Sequence, residues 1–129
     1  AGDAFQRKAA YRGAVAADLD GDGRLDVVTT ALGTPASIWR NVTEPAGHWI
    51  AVRLIGRAPR DGIGARVRVG SQVRTITTAT SYASSRPPVA HFGLGDTNTP
   101  PEIVVTWPDG STQAVTADGI DRVITIRQP

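Results

Sequence analysis

The feature that most constrains the fold of this chain is the stretch of residues 18–26, which reads DLDGDGRLD. Aspartates occupy positions 18, 20 and 22, and a fourth follows at position 26. In a tight turn these carboxylates repel one another unless a cation lies between them. Calcium prefers six to eight oxygen ligands, so the sequence predicts a calcium site in this turn.

The predicted ligands are the backbone carbonyl of Arg24 and the carboxylates of Asp18, Asp20, Asp22 and Asp26. Gly23, at the sixth position of the loop, allows the positive φ that curls the backbone around an ion. The loop is not an EF-hand, because its twelfth position holds Thr29 instead of a bidentate glutamate. The flanking residues are also typical of strands rather than helices. An acidic, solvated turn without an ion is the alternative.

The composition is that of a globular protein with a core. The chain has 129 residues, of which 40% are hydrophobic and 20% charged, enough for one domain, or for one domain with an appendage. Cysteine is absent, which excludes disulfide bonds and thiol chemistry. No segment approaches the roughly 20 apolar residues of a membrane-spanning helix, so we expect no membrane span.

The charge pattern argues against a nucleic-acid partner. The formal net charge is only +2, and the arginines are interleaved with acidic and apolar residues instead of forming one basic patch. Arg66 and Arg68 share one face of a predicted strand, where a small anionic-glycan or phosphate patch is conceivable. A solvated outer face is the favoured interpretation of that pair.

The sequence favours a secreted protein. Residue 1 is alanine, and the chain contains no methionine, so we expect it to follow a cleavage or to lie within a longer protein. Loops of this acidic type in extracellular modules bind calcium with dissociation constants of roughly 10⁻⁴ to 10⁻³ M. Calcium reaches such concentrations outside cells, so the loop and the location agree.

Short alternating segments separated by turns predict an all-β protein, an antiparallel β-sandwich or barrel-like domain. An N-terminal calcium-loop hairpin, similar to a propeller blade, precedes it. Turn signals rich in glycine, proline and aspartate separate the segments. The predicted strands are residues 14–17, 27–31, 37–40, 49–55, 65–69, 73–80, 89–92, 103–107, 112–115 and 122–126.

The chain divides by pattern into three parts. Residues 1–12 form a weakly patterned N-terminal arm, residues 13–46 contain the calcium-loop hairpin, and residues 47–129 form the main β-domain. The joint between the last two contains Asn41-Val42-Thr43, a formal glycosylation sequon. Whether Asn41 carries a glycan depends on the host, so the sequon alone decides nothing.

Residues 48–116 resemble the ASPIC/UnbV family, and the hairpin before them resembles one FG-GAP or VCBS repeat. The matching segments, in the order of the family, are residues 48–50 (HWI), 53–56 (RLIG), 61–67 (DGIGARV), 81–84 (SYAS), 91–95 (HFGLG) and 105–110 (VTWPDG). The resemblance implies a module that follows FG-GAP/VCBS repeats in secreted proteins. This chain differs by having a single repeat-like block, which cannot close a propeller of four or more blades alone.

No residues mark a catalytic site, and we expect no enzymatic activity. His48 and His91 are isolated, whereas a zinc site needs three or four ligands at regular spacing. No serine has the elbow motif of a hydrolase nucleophile. Core packing is the default for Trp39, Trp49 and Trp107, with stacking on a sugar as the alternative.

Three functions follow as hypotheses. The first is a secreted, calcium-stabilised β-module with a structural or recognition role, which adheres to an extracellular protein or glycan. The second is an extracellular structural protein that self-assembles into fibres by strand addition between copies. The third is an accessory domain of an extracellular enzyme.

Overall fold

The computed structural model describes Gln6, residues 8–44 and residues 47–129. These ranges contain twelve β-strands and no α-helix, which confirms the all-β class predicted from the sequence. The strands are β1 Tyr11–Ala17, β2 Asp26–Ala31, β3 Ser37–Trp39, β4 His48–Ile55, β5 Arg66–Val69, β6 Gln72–Thr75, β7 Ala79–Ser81, β8 Ser84–Ser85, β9 Val89–Gly95, β10 Glu102–Thr106, β11 Thr112–Thr116 and β12 Arg122–Arg127. Within the same ranges, no helix has the length and apolar character needed to cross a membrane.

The chain forms two compact units, and the first comprises residues up to Val42 together with Ala79–Arg86. In this unit β1, β2 and β3 pair antiparallel in that order, and β7 pairs with β8. Ala17 at the end of β1 lies opposite Asp26 at the start of β2. The acidic loop, residues 18–25, therefore closes a hairpin whose ladder is regular from Gly13 opposite Thr30 to the loop.

The β7–β8 hairpin lies against β1. The backbone N–H of Ala14 donates to the hydroxyl of Ser84 at 3.0 Å. A Cβ atom at the neighbouring Gly13 would lie 2.9 Å from the hydroxyl oxygens of both Ser84 and Thr30, closer than side chains approach. Glycine at position 13 is therefore required for this contact.

The first unit exposes apolar side chains. Among its described residues no hydrophobic side chain is fully buried, and the buried residue there is the carboxylate-bearing Asp26. Seven large apolar residues of this unit are exposed, namely Tyr11, Leu19, Leu25, Leu32, Ile38, Val42 and Tyr82. Burial of apolar area is the main force that stabilises a fold, so this unit has little core of its own.

The second unit, Thr43–Thr78 with Pro87–Pro129, is a β-sandwich. One sheet has the strand order β11-β10-β5-β6, and the other has the order β12-β4-β9. Alternate residues of each strand point between the sheets, as the period of two requires. The core of this unit consists of Ile50, Val52, Leu54, Ala65, Val67, Val69, Ile76, Ala90, Phe92, Ile103, Val105, Trp107, Ala117, Ile124 and Ile126.

The sandwich agrees with the predicted class, and one of its ladders is parallel. β12 pairs with β4 in parallel, with Ile124 opposite Val52 and Ile126 opposite Leu54. The other strand pairs of this unit are antiparallel. The alternation that predicts a strand is the same for both directions, so the direction of β12 has no signature in the sequence pattern.

The single strand predicted at residues 73–80 is wrong, because the segment divides into two strands in different units. β6 ends at Thr75, and Ile76 is then held by paired backbone hydrogen bonds, Gly64 N–H to its carbonyl and its own N–H to the Ala65 carbonyl, both 2.9 Å. The chain next enters β7 of the first unit. The linear division into 13–46 and 47–129 does not include this excursion.

The structure agrees only in part with two other expectations, the N-terminal arm and the buried tryptophans. The last two residues of the predicted arm, Tyr11 and Arg12, are the first residues of β1. The rest of the arm lies mostly outside the described residues. Of the three tryptophans expected in the core, Trp107 is buried, with 2% of its surface exposed, whereas Trp39 and Trp49 are half-buried.

Candidate metal centre

Three carboxylates converge in the loop between β1 and β2. Asp18, Asp20 and Asp22 each offer an oxygen atom, and these atoms all lie within 4.8 Å of one another. Asp18 and Asp22 are half-buried, and Asp20 is exposed. Like charges at this separation repel, so the cluster attracts a cation, and the structure offers three hard oxygen ligands for a metal ion.

Asp18 organises the backbone of the loop. One of its carboxylate oxygens, Oδ1, accepts the N–H groups of Gly21 at 2.8 Å and Asp22 at 3.2 Å, while Oδ2 accepts that of Gly23 at 3.0 Å. The glycines have φ angles of 80° and 86°, in the left-handed region that favours glycine. The positive φ predicted for Gly23 is therefore present.

Two guanidinium groups already contact the cluster. Arg24 forms an ion pair with Asp22, and its Nε donates to the carbonyl of Asn41 at 2.9 Å. Arg40 lies 2.7 Å from Asp20 and 3.8 Å from Asp22. A metal ion must therefore compete with arginine for the oxygens of Asp20 and Asp22.

The carboxylate of Asp22 is held in its charged form. The pKa of Asp22 is lowered, chiefly because the backbone N–H of Arg24 donates to the carboxylate, and further by the charges of Arg24 and Arg40. A group that stays ionised offers its oxygens to a cation without first losing a proton. The perturbation thus favours a ligand role for this residue.

Asp26 has a different position from the other three aspartates. It is 3% exposed, and its two oxygens accept the backbone N–H groups of Leu19 at 3.1 Å and Asn41 at 2.7 Å. It does not belong to the group formed by the other three among the described residues. Asp26 joins the start of the loop to the segment after β3, and its role as a ligand stays a prediction.

The backbone carbonyl of Arg24 also stays a prediction as a ligand, because Arg24 contacts the loop and Asn41 through its N–H and its guanidinium. Sequence reasoning missed Arg40 and Asn41. The side chain of Asn41 donates to the carbonyl of Leu25 at 3.3 Å, in addition to its two backbone bonds. Their signal was the predicted strand at 37–40, which leads the chain back beside the loop.

We expect Arg40→Gln to raise the affinity of the loop for calcium by a factor of about 1.4 to 5, because an exposed ion pair contributes about 0.2–1 kcal/mol. Removing the guanidinium frees the Asp20 carboxylate from its competitor and leaves Arg24 as the arginine paired with Asp22. Calorimetric titration with calcium measures the change. Arg12→Gln is the control, since this exposed arginine of the same unit donates to the Tyr11 carbonyl. A weaker affinity in Arg40→Gln contradicts the competition.

The two histidines belong to other contacts. The ring of His48 lies 2.7 Å from the carboxylate of Asp121, and His91 stacks on Trp49 with ring centroids 5.4 Å apart. The pKa of Asp121 is lowered, chiefly because its carboxylate forms a hydrogen bond with His48. Among the described residues neither histidine joins a group of potential metal ligands.

Comparison with known proteins decides the family. The model of the family described as ASPIC and UnbV matches residues 56–129, which is more than half of the chain. The chain belongs to the ASPIC and UnbV family. The resemblance seen in the sequence motifs is thereby confirmed for residues 56–129, whereas the match does not extend to the acidic loop.

Relatives of this ASPIC and UnbV chain extend the likeness across the loop. Cartilage acidic protein 1 from Mus musculus and from Homo sapiens is 31% identical over 138 residues, and the protein of that name from Xenopus tropicalis is 31% identical over 143. Each alignment covers 99% of this chain and 21% of the relative. The chain therefore spans about a fifth of the length of these relatives. Their relationship confirms the extracellular location predicted from the sequence.

Proposed function

We propose that this chain is a calcium-stabilised recognition module of an extracellular ASPIC and UnbV protein. The observation that carries the proposal is the convergence of the Asp18, Asp20 and Asp22 carboxylates within 4.8 Å in a loop held by two strands. Calcium in this role is structural. The partner is an extracellular protein or glycan.

The donor set fits calcium better than other common ions. All three side chains offer carboxylate oxygens, which hard cations prefer, and no cysteine is present in the chain. Calcium accepts irregular coordination by six to eight oxygens, whereas magnesium demands a small, near-ideal octahedron. Further ligands are water, the Arg24 carbonyl and Asp26. An oxygen of Asp26 that accepts one N–H keeps a second lone pair for an ion.

The first unit also supports the proposal that residues 13–46 are one FG-GAP/VCBS-like repeat. Its acidic loop joins two antiparallel strands, and a third strand follows directly. In this arrangement the ion would fix the closing end of the β1–β2 hairpin. The first unit lacks a buried apolar core among its described residues, so we expect a bound ion to contribute to the stability of this unit.

We expect millimolar calcium to stabilise the folded chain by about 1–2 kcal/mol and chelation by EGTA to remove this gain, for a dissociation constant near 10⁻⁴ M. The double variant Asp20→Asn/Asp22→Asn should lose the response. The melting temperatures of both chains with calcium, with magnesium and with EGTA measure this gain in stability.

The matched control is Asp61→Asn/Asp96→Asn, which removes two exposed carboxylates of the second unit. This variant should respond to calcium as the unaltered chain does. Equal melting temperatures of the unaltered chain with calcium and with EGTA would show that the loop is a solvated acidic turn.

A second candidate function is self-assembly between copies of this chain, and the exposed apolar side chains of the first unit favour it. Ile38 in the outer strand β3 is 68% exposed, and Val42 just after it is 75% exposed. Such surface on a sheet with an open edge recruits further strands. A role as an accessory domain of an extracellular enzyme is a third proposal, and no contact among the described residues favours it.

Under the self-assembly hypothesis, we expect sedimentation of the purified chain in calcium to reveal a large species that Ile38→Asn reduces. The control is Val123→Asn, which places the same side chain at a 49% exposed position of the second unit. A monomer at all concentrations in both calcium and EGTA would exclude self-assembly and leave the recognition role.

A further inference from the structure

The second unit contains a basic cleft that the calcium loop does not involve. The cleft has a volume of about 590 Å³. Arg53 of β4, Arg60 of the following loop and Arg127 of β12 all line it. Pro87 and Pro88, before β9, form part of its apolar wall.

The pairing of β4 with β12 brings two of these arginines to one face. Leu54 and Ile126 are 2% and 3% exposed and point into the core, so their neighbours Arg53 and Arg127 point to the opposite face. The backbone of Arg60 is fixed as well, because the N–H of Gly56 donates to its carbonyl at 2.7 Å. Three arginines with fixed backbone positions thus line one cleft.

The charges of this cleft are not compensated within the described part of the chain. Three guanidinium groups and the carboxylate of Asp61 give the cleft a formal charge of +2. Among the described residues, the side chains of these arginines and of Asp61 form no hydrogen bond or ion pair. Like charges that line one cleft repel one another, and a bound anion relieves that repulsion.

The strand edge beside the cleft does not suit a peptide bound by strand addition. Pro87 and Pro88 have no backbone N–H, and the N–H of Val89 already donates to the carbonyl of Pro87 at 2.8 Å. A peptide would find no main-chain donor along these three residues. Recognition at this place must come from the guanidinium groups, with the apolar wall as a surface for the faces of sugar rings.

We propose that the cleft between Arg53, Arg60 and Arg127 binds an anionic saccharide through its sulfate or carboxylate groups. This rests on the recognition role proposed above and names the ligand class of that role. Guanidinium groups hold such oxygens with two parallel hydrogen bonds, which gives geometric selectivity as well as charge. The proline wall excludes water from one side of the bound ring.

The test is calorimetric titration of the whole chain with a heparin-derived hexasaccharide at moderate salt. We expect Arg53→Ala/Arg127→Ala to weaken binding about tenfold or more. Arg66→Ala/Arg68→Ala is the matched control, because it removes two exposed charges from β5 of the same unit, outside the cleft, and we expect it to weaken binding no more than about twofold. Equal losses in the two variants would overturn the site.

Two further ligands distinguish the anionic group and the class of molecule. Binding of a hyaluronan hexasaccharide, which bears carboxylates alone, would support the site and identify carboxylate as the recognised group. Preference for the sulfated sugar would support it and identify sulfate. Equal binding of a decaglutamate peptide, or no binding of either sugar, would overturn the saccharide proposal.

Thermal unfolding of the same samples with calcium and with EGTA separates this inference from the proposed function. A chain that responds to calcium and binds no saccharide refutes the cleft and leaves the calcium-stabilised module. A chain that binds the sugar through Arg53 and Arg127 without any response to calcium supports the cleft and refutes the calcium role.

Discussion

Trp107→Ala should lower the free energy of unfolding by about 3–5 kcal/mol, a large part of the stability of a domain of this size. Trp107 is 2% exposed and is the largest of the fully buried side chains. Its indole N–H donates to the side-chain carbonyl of Gln113 at 3.1 Å, so the substitution leaves both a cavity and an unpaired acceptor. Denaturant unfolding followed by circular dichroism measures the loss.

The control for this prediction is Trp49→Ala, which removes the same ring from a half-buried position. Trp49 stacks on His91, a contact of about 0.5–1.5 kcal/mol beyond area burial, so we expect a clearly smaller loss. Trp107→Phe keeps most of the volume and should give an intermediate value. Equal losses for the two alanine variants would contradict the assignment of Trp107 to the centre of the core.

Asp26→Ala should destabilise the chain by about 3 kcal/mol, because it leaves two backbone N–H groups without their charged acceptor. These are the donors of Leu19 and Asn41, at opposite ends of the segment that contains the loop. Asp26→Asn keeps one acceptor oxygen and should lose less. We also expect Asp26→Ala to weaken calcium binding, since the loop loses the anchor of its first turn.

The substitution Asp20→Ala at an exposed position distinguishes the loss of stability from the loss of calcium binding. This residue lies on the loop, pairs with Arg40 and is not buried, so its loss should impair the calcium response with little effect in EGTA. Denaturant unfolding with and without calcium gives both quantities for each variant. An Asp26→Ala chain as stable as the unaltered one in EGTA would show that the buried carboxylate is not a structural anchor.

The acidic loop was predictable in its main features because local geometry determines it. Alternate aspartates and the glycine at position 23 specify a tight turn around a charged centre, and the structure brings three carboxylates together with the expected φ. The contact of Arg40 was not predictable. It depends on the pairing of β3 with β2, and a strand of three residues has too short a pattern to fix its partner.

The strands were predictable where one face is buried, and their pairing was not. Residues 49–55 alternate clearly and lie in β4, because Ile50, Val52 and Leu54 all point into the core. Residues 73–80 also favour extended backbone, but two units divide them between β6 and β7. Strand propensity indicates that a segment is extended. Which strand it pairs with depends on contacts with residues far away in the sequence.

The arginine cleft had no signal in the sequence, for the same reason. Arg53, Arg60 and Arg127 come from two strands and a loop, and Arg53 and Arg127 are far apart in the chain. Only the ladder between β4 and β12 brings them together. The pair that the sequence does put on one face, Arg66 and Arg68, is exposed on β5.

The parallel ladder between β4 and β12 sets the order in which the second unit can complete itself during synthesis. β4 is the middle strand of its sheet, yet its partner β12 is translated only after seven other strands have emerged. Until then one edge of β4 stays open on the ribosome, with Val52 and Leu54 lacking the cover of Ile124 and Ile126. Contacts between such distant segments slow folding. The nascent chain therefore passes through a stage in which its most apolar strand is exposed to chaperones and to other nascent chains.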